Sequence, residues 1–269
     1  MTQDSKEPLR RLFFALEIEA AWPENLPSGR ILDEKNRHMT IFFLGNIPFS
    51  PLKKLLKTFP KPPFSIGLAG KCDHLLFLPE ATPRVVAGHV FWFKSHCLEK
   101  YLSLIADWLH NNHYGTHTKE FLPHITLARK PFHQKDWQKI ALPFPVIAKS
   151  IHLYETVEHL TYQSLFSIPF ELPFKEIDHT ADIAFIVRGV DIGQLYLHAQ
   201  LALSFKFPLL LNYIDESSVL DLDRLIMQLN ALIARIDCDI GCPFKAISFH
   251  GNVSIENSGL LHWEMIVDV

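Results

Sequence analysis

The chain has 269 residues, 48% of them hydrophobic and 20% charged, with a formal net charge of -3 at pH 7. This length exceeds the roughly 100–200 residues of a single domain, so two domains with real cores are expected. No apolar run reaches the ~18 residues of a spanning helix and MTQDSKEPLRR lacks the apolar stretch of a signal peptide, so a cytoplasmic protein with no membrane contact is expected. Cys72, Cys97, Cys238 and Cys242 are scattered. Their spacing argues against a zinc framework and fits reduced thiols.

In chain order, the first predicted strands are RLFFALEI (11–18), HMTIFFLG (38–45), FSIGLAG (64–70) and RVVAGHVFWF (84–93). Prolines 48, 51, 60, 62, 63 and 79 break the intervening stretch. Ser95 is placed to cap an amphipathic helix to about Asn111, with Leu98, Leu102, Ile105 and Leu109 at helical spacing. HITLAR (124–129) and FPVIAKSIHLYETV (144–157) read as further strands. Beyond Pro169 and Pro173 a second set begins: FKEIDHTADIAFIVRG as strand, Asp191–Phe205 and Asp221–Ile236 as helices, then KAISFHGNVSIE and LLHWEMIVDV as strands. Both sets are α+β, with a seam near Phe170 and no long linker, which predicts domains 1–170 and 171–269 packed together. The charge changes at the same place. Residues 1–170 hold 20 Lys+Arg against 15 Asp+Glu, a balance of +5, and residues 171–269 hold 6 against 14, a balance of -8. The first half suits an anionic partner such as an RNA end, and the second a cation or a basic surface.

Two copies of His-x-Thr carry the chemistry. His38-Met39-Thr40 and His124-Ile125-Thr126 lie 86 positions apart (124 minus 38), each opening an apolar strand. Alternation puts His and Thr of each copy on one face. An imidazole titrates near neutrality, so one serves as general base while the other serves as general acid, as phosphodiester chemistry requires. The other histidines, His74, His89 and His152 among them, read as core or surface residues, and Phe42, Phe43, Phe91, Trp92 and Phe93 as core by position.

RLFFALEI, RHMTIFFLG, PRVVAGHVFW, FLPHITLARK and SIHLYETVEHLTYQSLFSIPF, in that order, resemble the RNA 2',3'-cyclic phosphodiesterase or 2'-5' RNA ligase family of two-histidine (2H) phosphoesterases over about residues 10–170. The resemblance implies a bilobal, pseudo-symmetric α+β domain in which each lobe supplies one His-x-Thr to a central cleft. It implies that His38 and His124 are the acid/base pair, that Thr40 and Thr126 donate hydrogen bonds to the phosphate, and that Arg129 neutralises it. No cofactor is implied for this domain. The implied substrate is RNA with a 2',3'-cyclic phosphate, opened to a 2'-phosphate, or a 2'-5' linkage. The segment between RLFFALEI and His38 is short for the family, so the first lobe's helix is trimmed or absent.

EIDHTADIAFIVRG, the helix LYLHAQLALSF and the ending KAISFHG...WEMIVDV resemble archease, the protein that promotes guanylylation and turnover of the GTP-dependent tRNA-splicing ligase. The resemblance implies a metal site for Ca²⁺ or Mg²⁺ at Asp182 and Asp268, with His179 and His250 nearby, and a splicing ligase as partner. Only DCDIGCPF stands between the second helix and KAISFHG, so the domain is abridged. Other readings of the whole chain remain: a non-catalytic RNA-binding or ligase-regulating protein, or an enzyme acting on nucleotide or ADP-ribose cyclic phosphates.

Overall fold

The computed structural model describes residues 7–115, 121–158, 160–180, 182–215, 219–248 and 253–269. Its first part runs β1 (Arg10–Ala20), β2 (Arg30–Ile31), β3 (His38–Ile47), α1 (Phe49–Leu55), β4 (Ala69–Leu78), β5 (Val85–Trp92), α2 (Ser95–Asn111), β6 (His124–Arg129), α3 (Gln134–Trp137), β7 (Phe144–Glu158) and β8 (Thr161–Pro169). The strands form one antiparallel sheet in the order β2-β6-β5-β4-β7-β1-β3, with β8 beside β7. β3 and β6 are far apart in that order yet touch, so the sheet curls until its two motif-bearing strands meet.

Alternation explains which face does what. Leu12, Phe14, Leu16 and Ile18 of β1 and Met39 and Ile41 of β3 enter one core against α1 and α2. Each such side chain contributes about 1.5–3 kcal/mol on burial. Arg11, Phe13, Ala15 and Glu17 therefore point to the inner face of the curl. On α2 the buried residues are Leu98, Tyr101, Ile105, Trp108 and Leu109, whereas Leu102 is only partly covered. Ser95 is the first helical residue. Lys94 takes the cap position with no side-chain bond, so the expected serine cap is absent. The expected strand at 64–70 begins only at Ala69, because Gly67 N–H donates instead to Glu171 C=O at 2.7 Å, in the connection to the second sheet.

A bulge follows the threonine of each motif. In β1·β3 the pairing passes from Ala15↔Thr40 to Phe14↔Phe42, leaving Ile41 as the extra residue. In β5·β6 it passes from Ala87↔Thr126 to Val86↔Ala128, leaving Leu127 extra. An extra residue reverses the alternation beyond it, so Phe43 and Arg129 turn to the same face as the motif residues.

The chain leaves the first sheet at Pro169 and enters the second at Phe174. There follow β9 (Phe174–Ile177), β10 (Ile183–Gly189), α4 (Ile192–Lys206), α5 (Leu222–Ile240), β11 (Ala246–Ile247), β12 (Ser254–Ile255) and β13 (Leu261–Asp268). The sheet order is β11-β13-β10-β9, with β12 beside β13. FKEIDHTADIAFIVRG is thus a hairpin and not one strand: β9 ends at Ile177 and β10 begins at Ile183, with the polar Asp178, His179, Thr180 and Asp182 outside both strands. KAISFHGNVSIE contributes two short strands on either side of residues 249–252, which lie outside the described ones. Asp191 and Asp221 cap the two helices, accepting Gln194 N–H at 2.7 Å and Arg224 N–H at 2.8 Å.

Helix α4 is buried on every side from Leu195 to Ser204, as befits a helix held between two sheets. It packs on β10 and β13 and also on β7, and Ala69 and Ile147 of the first sheet share its core. Its buried polar groups are paired: Gln200 bonds both backbone groups of Asp215 at 2.8 Å, and His198 Nδ1 donates to Arg188 C=O at 2.6 Å. Among the described residues, no helix is long and apolar enough to cross a membrane.

Candidate active site

The contact of β3 with β6 brings both motifs into one cleft of about 360 Å³, lined by His38, Thr40, His124, Thr126 and Arg129. Two more cations, Arg11 and Arg30, line it, and among the described residues no carboxylate does. The cleft is therefore built for an anion. A larger, mostly apolar hollow of about 750 Å³ adjoins it and shares Thr40, Phe43 and His124.

The two imidazoles are held in the same way. His38 Nδ1 lies 2.8 Å from Asn36 C=O, and His124 Nδ1 lies 2.7 Å from Leu122 C=O. A carbonyl only accepts, so each Nδ1 carries a proton and each Nε2 is left for other partners. Rings of Tyr162, Phe13 and Tyr154 stand 4.6, 5.1 and 5.6 Å from the His38 ring. That burial pushes its pKa down to about 4 against the help of the Asn36 carbonyl, and the charges of Arg129 and His124 push the same way. His38 is accordingly neutral at pH 7, as a general base must be.

Arg129 has a further mark of function. Its Nε is buried with no hydrogen-bond partner among the described residues. Buried donors are normally satisfied, and an anion in the cleft would complete this one. Strict alternation from His124 would put Arg129 on the wrong face; the bulge at Leu127 corrects it. Phe43 is 54% exposed on the cleft wall, so the expectation that it is core fails for the same reason, the bulge at Ile41. Phe91 is also exposed, whereas Trp92 is buried. Sequence reasoning missed Arg11, Arg30 and Tyr162; the alternation of β1 and β8 was the available signal for Arg11 and Tyr162, whereas Arg30 lies on the two-residue β2.

On the inner face beside His38, Ser150 Oγ donates to Glu17 Oε2 at 2.6 Å, and His152 Nε2 lies 3.1 Å from the same oxygen. These bonds, led by that to His152, hold the Glu17 carboxyl down at about 2.

In the second sheet, Ile183↔Val267 pairing sets Asp182 and Asp268 at neighbouring strand ends. Asp182 Oδ2 faces His179 Nδ1 at 3.7 Å, and Asp268 accepts from Ser248 Oγ at 3.2 Å. His250 lies outside the described residues. Among those described, no three ligating groups converge there.

Comparison with known proteins bears on the first sheet. The chain is similar to an RNA 2',3'-cyclic phosphodiesterase. That protein, from Thermotoga maritima, is 24% identical over 135 residues, which cover 46% of this chain and 67% of the relative. Among solved structures, E. coli LigT complexed with 3'-AMP is 19% identical, covering 60% of this chain and 98% of its own with a TM-score of 0.44. TT0787 of Thermus thermophilus is likewise 19% identical, covering 60% and 97% with a TM-score of 0.41. No family model matches the chain.

Proposed function

We propose that the chain is a 2H-type phosphodiesterase that opens the 2',3'-cyclic phosphate at an RNA end. The observation that carries this is the pair of imidazoles fixed by Nδ1 in one arginine-lined cleft. The likeness to an RNA 2',3'-cyclic phosphodiesterase supports the substrate class.

In the reaction, neutral His38 takes a proton from water at Nε2 while the water oxygen attacks phosphorus. The bond from phosphorus to O3' breaks, and His124, entering the step as the imidazolium with a proton on both nitrogens, gives its Nε2 proton to O3'. A 2'-phosphate and a free 3'-hydroxyl result, with one proton moved from His124 to His38 by way of the substrate. Thr40, Thr126 and Arg129 stabilise the charge that grows on the phosphorane oxygens. The neighbouring apolar hollow accommodates the terminal base, with Phe43 at its rim. Run in reverse with a ribose hydroxyl in place of water, the same groups join a 2'-5' linkage.

The test is an oligoribonucleotide with a 2',3'-cyclic end, incubated with the protein and then with phosphatase. Release of the terminal phosphate is expected; a resistant end defeats the reading for RNA, and turnover of ADP-ribose cyclic phosphate instead would reassign the substrate. For the second sheet we propose the archease-like role that its motifs imply: a Ca²⁺ or Mg²⁺ ion held by Asp182 and Asp268, and contact with an RNA-splicing ligase. Pull-down of a GTP-dependent RNA ligase by the whole chain, lost on Asp182→Ala, checks the partner.

A further inference from the structure

We propose that Asp73, His74 and His89 form a site for a divalent transition ion of the Zn²⁺ class, on the inner face of the first sheet beside the cleft. His74 stands opposite His89 in β4·β5, and His89 stands opposite His124 in β5·β6. Residues opposite one another across an antiparallel pair share a face, so three histidines run in a row across three strands. The pairing steps from Cys72↔Val90 to His74↔His89, which leaves Asp73 as an extra residue in a bulge. The bulge aims its carboxylate at the Nδ1 atoms of both rings, with Oδ1 2.8 Å from His74 Nδ1 and 2.7 Å from His89 Nδ1. The rings stack 4.4 Å apart at 25°.

One imidazole on a carboxylate would serve the fold. Here two, from adjacent strands, converge on a single oxygen, and all three donor atoms lie within 4.8 Å of one another. Among the described residues, this is the one group of three ligating side chains so placed. Ligands at about 2.0–2.1 Å in a tetrahedron are about 3.3 Å apart, so each of the two Asp73–His contacts has to open by about half an ångström. His74 is 54% exposed and free to swing that far. Two imidazoles and one carboxylate suit Zn²⁺, Co²⁺ or Ni²⁺, whereas Ca²⁺ and Mg²⁺ prefer all-oxygen sets. Cys72 is buried in the core on the other face, so the fourth position is left to water. On binding, each Nδ1 lone pair goes to the metal and its proton moves through solvent to Nε2 of the same ring. No proton is lost from a neutral imidazole.

This site is independent of the hydrolase reading, because its test reads occupancy. Calorimetric titration of the whole, metal-free protein with Zn²⁺ is expected to show one equivalent bound. Co²⁺ is expected to give visible d–d bands that Zn²⁺ bleaches and Ca²⁺ and Mg²⁺ leave unchanged. His74→Ala, at an exposed position, and His89→Ala are each expected to weaken binding by more than about 100-fold, beyond the range of outer-shell changes. His38→Ala and His179→Ala are expected to leave it intact. No uptake of Zn²⁺, or an equivalent that survives in both His74→Ala and His89→Ala, overturns the proposal, as does one lost in His38→Ala or His179→Ala.

Discussion

His38 and His124 each bond by Nδ1 to the carbonyl two residues earlier, Asn36 at 2.8 Å and Leu122 at 2.7 Å. The repeated device fixes a proton on each Nδ1 and leaves each Nε2 for the acid/base role proposed above. His38→Ala and His124→Ala are expected to lower kcat by roughly 10²–10⁴-fold each, the usual worth of a placed acid or base. Circular dichroism is expected to remain that of the native fold. A variant of either residue that keeps near-normal turnover of a cyclic-phosphate oligonucleotide rules out that residue's role.

The depressed pKa of His38 fixes the sign of a pH effect. A base is inactive once protonated, so the acidic limb of kcat/KM is expected near pH 4 and not near the ordinary 6.5. Tyr162→Ala opens the wall 4.6 Å from the ring, admits water and moves that limb up toward 6.5. Activity at pH 5 then falls relative to that at pH 8. In stability the same group works against the fold in acid: between about 6.5 and 4 the unfolded chain binds the proton that the folded one refuses, so stability is lost as pH falls through that window. A wild-type limb at 6.5, unmoved in Tyr162→Ala, contradicts the assignment.

The parts of the site that were legible in sequence share one cause. His38 with Thr40 and His124 with Thr126 follow strand period, and strand period survives as far as each threonine. Beyond it, the bulges at Ile41 and Leu127 reverse the phase. No residue type announces these bulges, so Phe43 read as core and the position of Arg129 rested on resemblance. The cleft itself comes from the curl of a sheet in which β3 meets β6, strands far apart in the sheet order, a non-local fact. Similarly, the two-sheet plan follows from the change of pattern at Phe170, but the hairpin in FKEIDHTADIAFIVRG was hidden because no glycine or proline stands between Ile177, where β9 ends, and Ile183, where β10 begins.

Phe43 offers a test of where the base lies. Stacking on an aromatic ring is worth about 1–3 kcal/mol per base. Phe43→Ala is expected to raise KM roughly 5- to 100-fold while kcat stays close to wild type, the signature of binding lost equally in ground and transition states. Phe43→Tyr is expected to restore KM. If kcat falls instead and KM does not change, Phe43 supports the motif strand and not the base.

Asp182 and Asp268 lie at neighbouring ends of β10 and β13. Calorimetry with Ca²⁺ and with Mg²⁺ is expected to show heat in the whole protein, lost in Asp182→Ala and in Asp268→Ala and retained in His74→Ala. The absence of heat in the native protein removes this site without touching the Zn²⁺ site on the first sheet.

Arg129 brings a buried Nε that is unpaired among the described residues to a cleft that none of their carboxylates lines. A hydrogen bond to a charged group is worth about 1.5–3 kcal/mol, so Arg129→Ala is expected to cost roughly 10- to 100-fold or more in kcat/KM. Arg129→Lys keeps the charge but not the planar fork, and is expected to fall between the two. Inorganic phosphate, as a competitive inhibitor, separates this from a structural effect: its inhibition constant is expected to rise in the same order, Arg, Lys, Ala, while the melting temperature is little changed. Phosphate inhibition that is equal in all three places the anion elsewhere in the cleft, with Arg11 and Arg30 as the remaining cations on its wall.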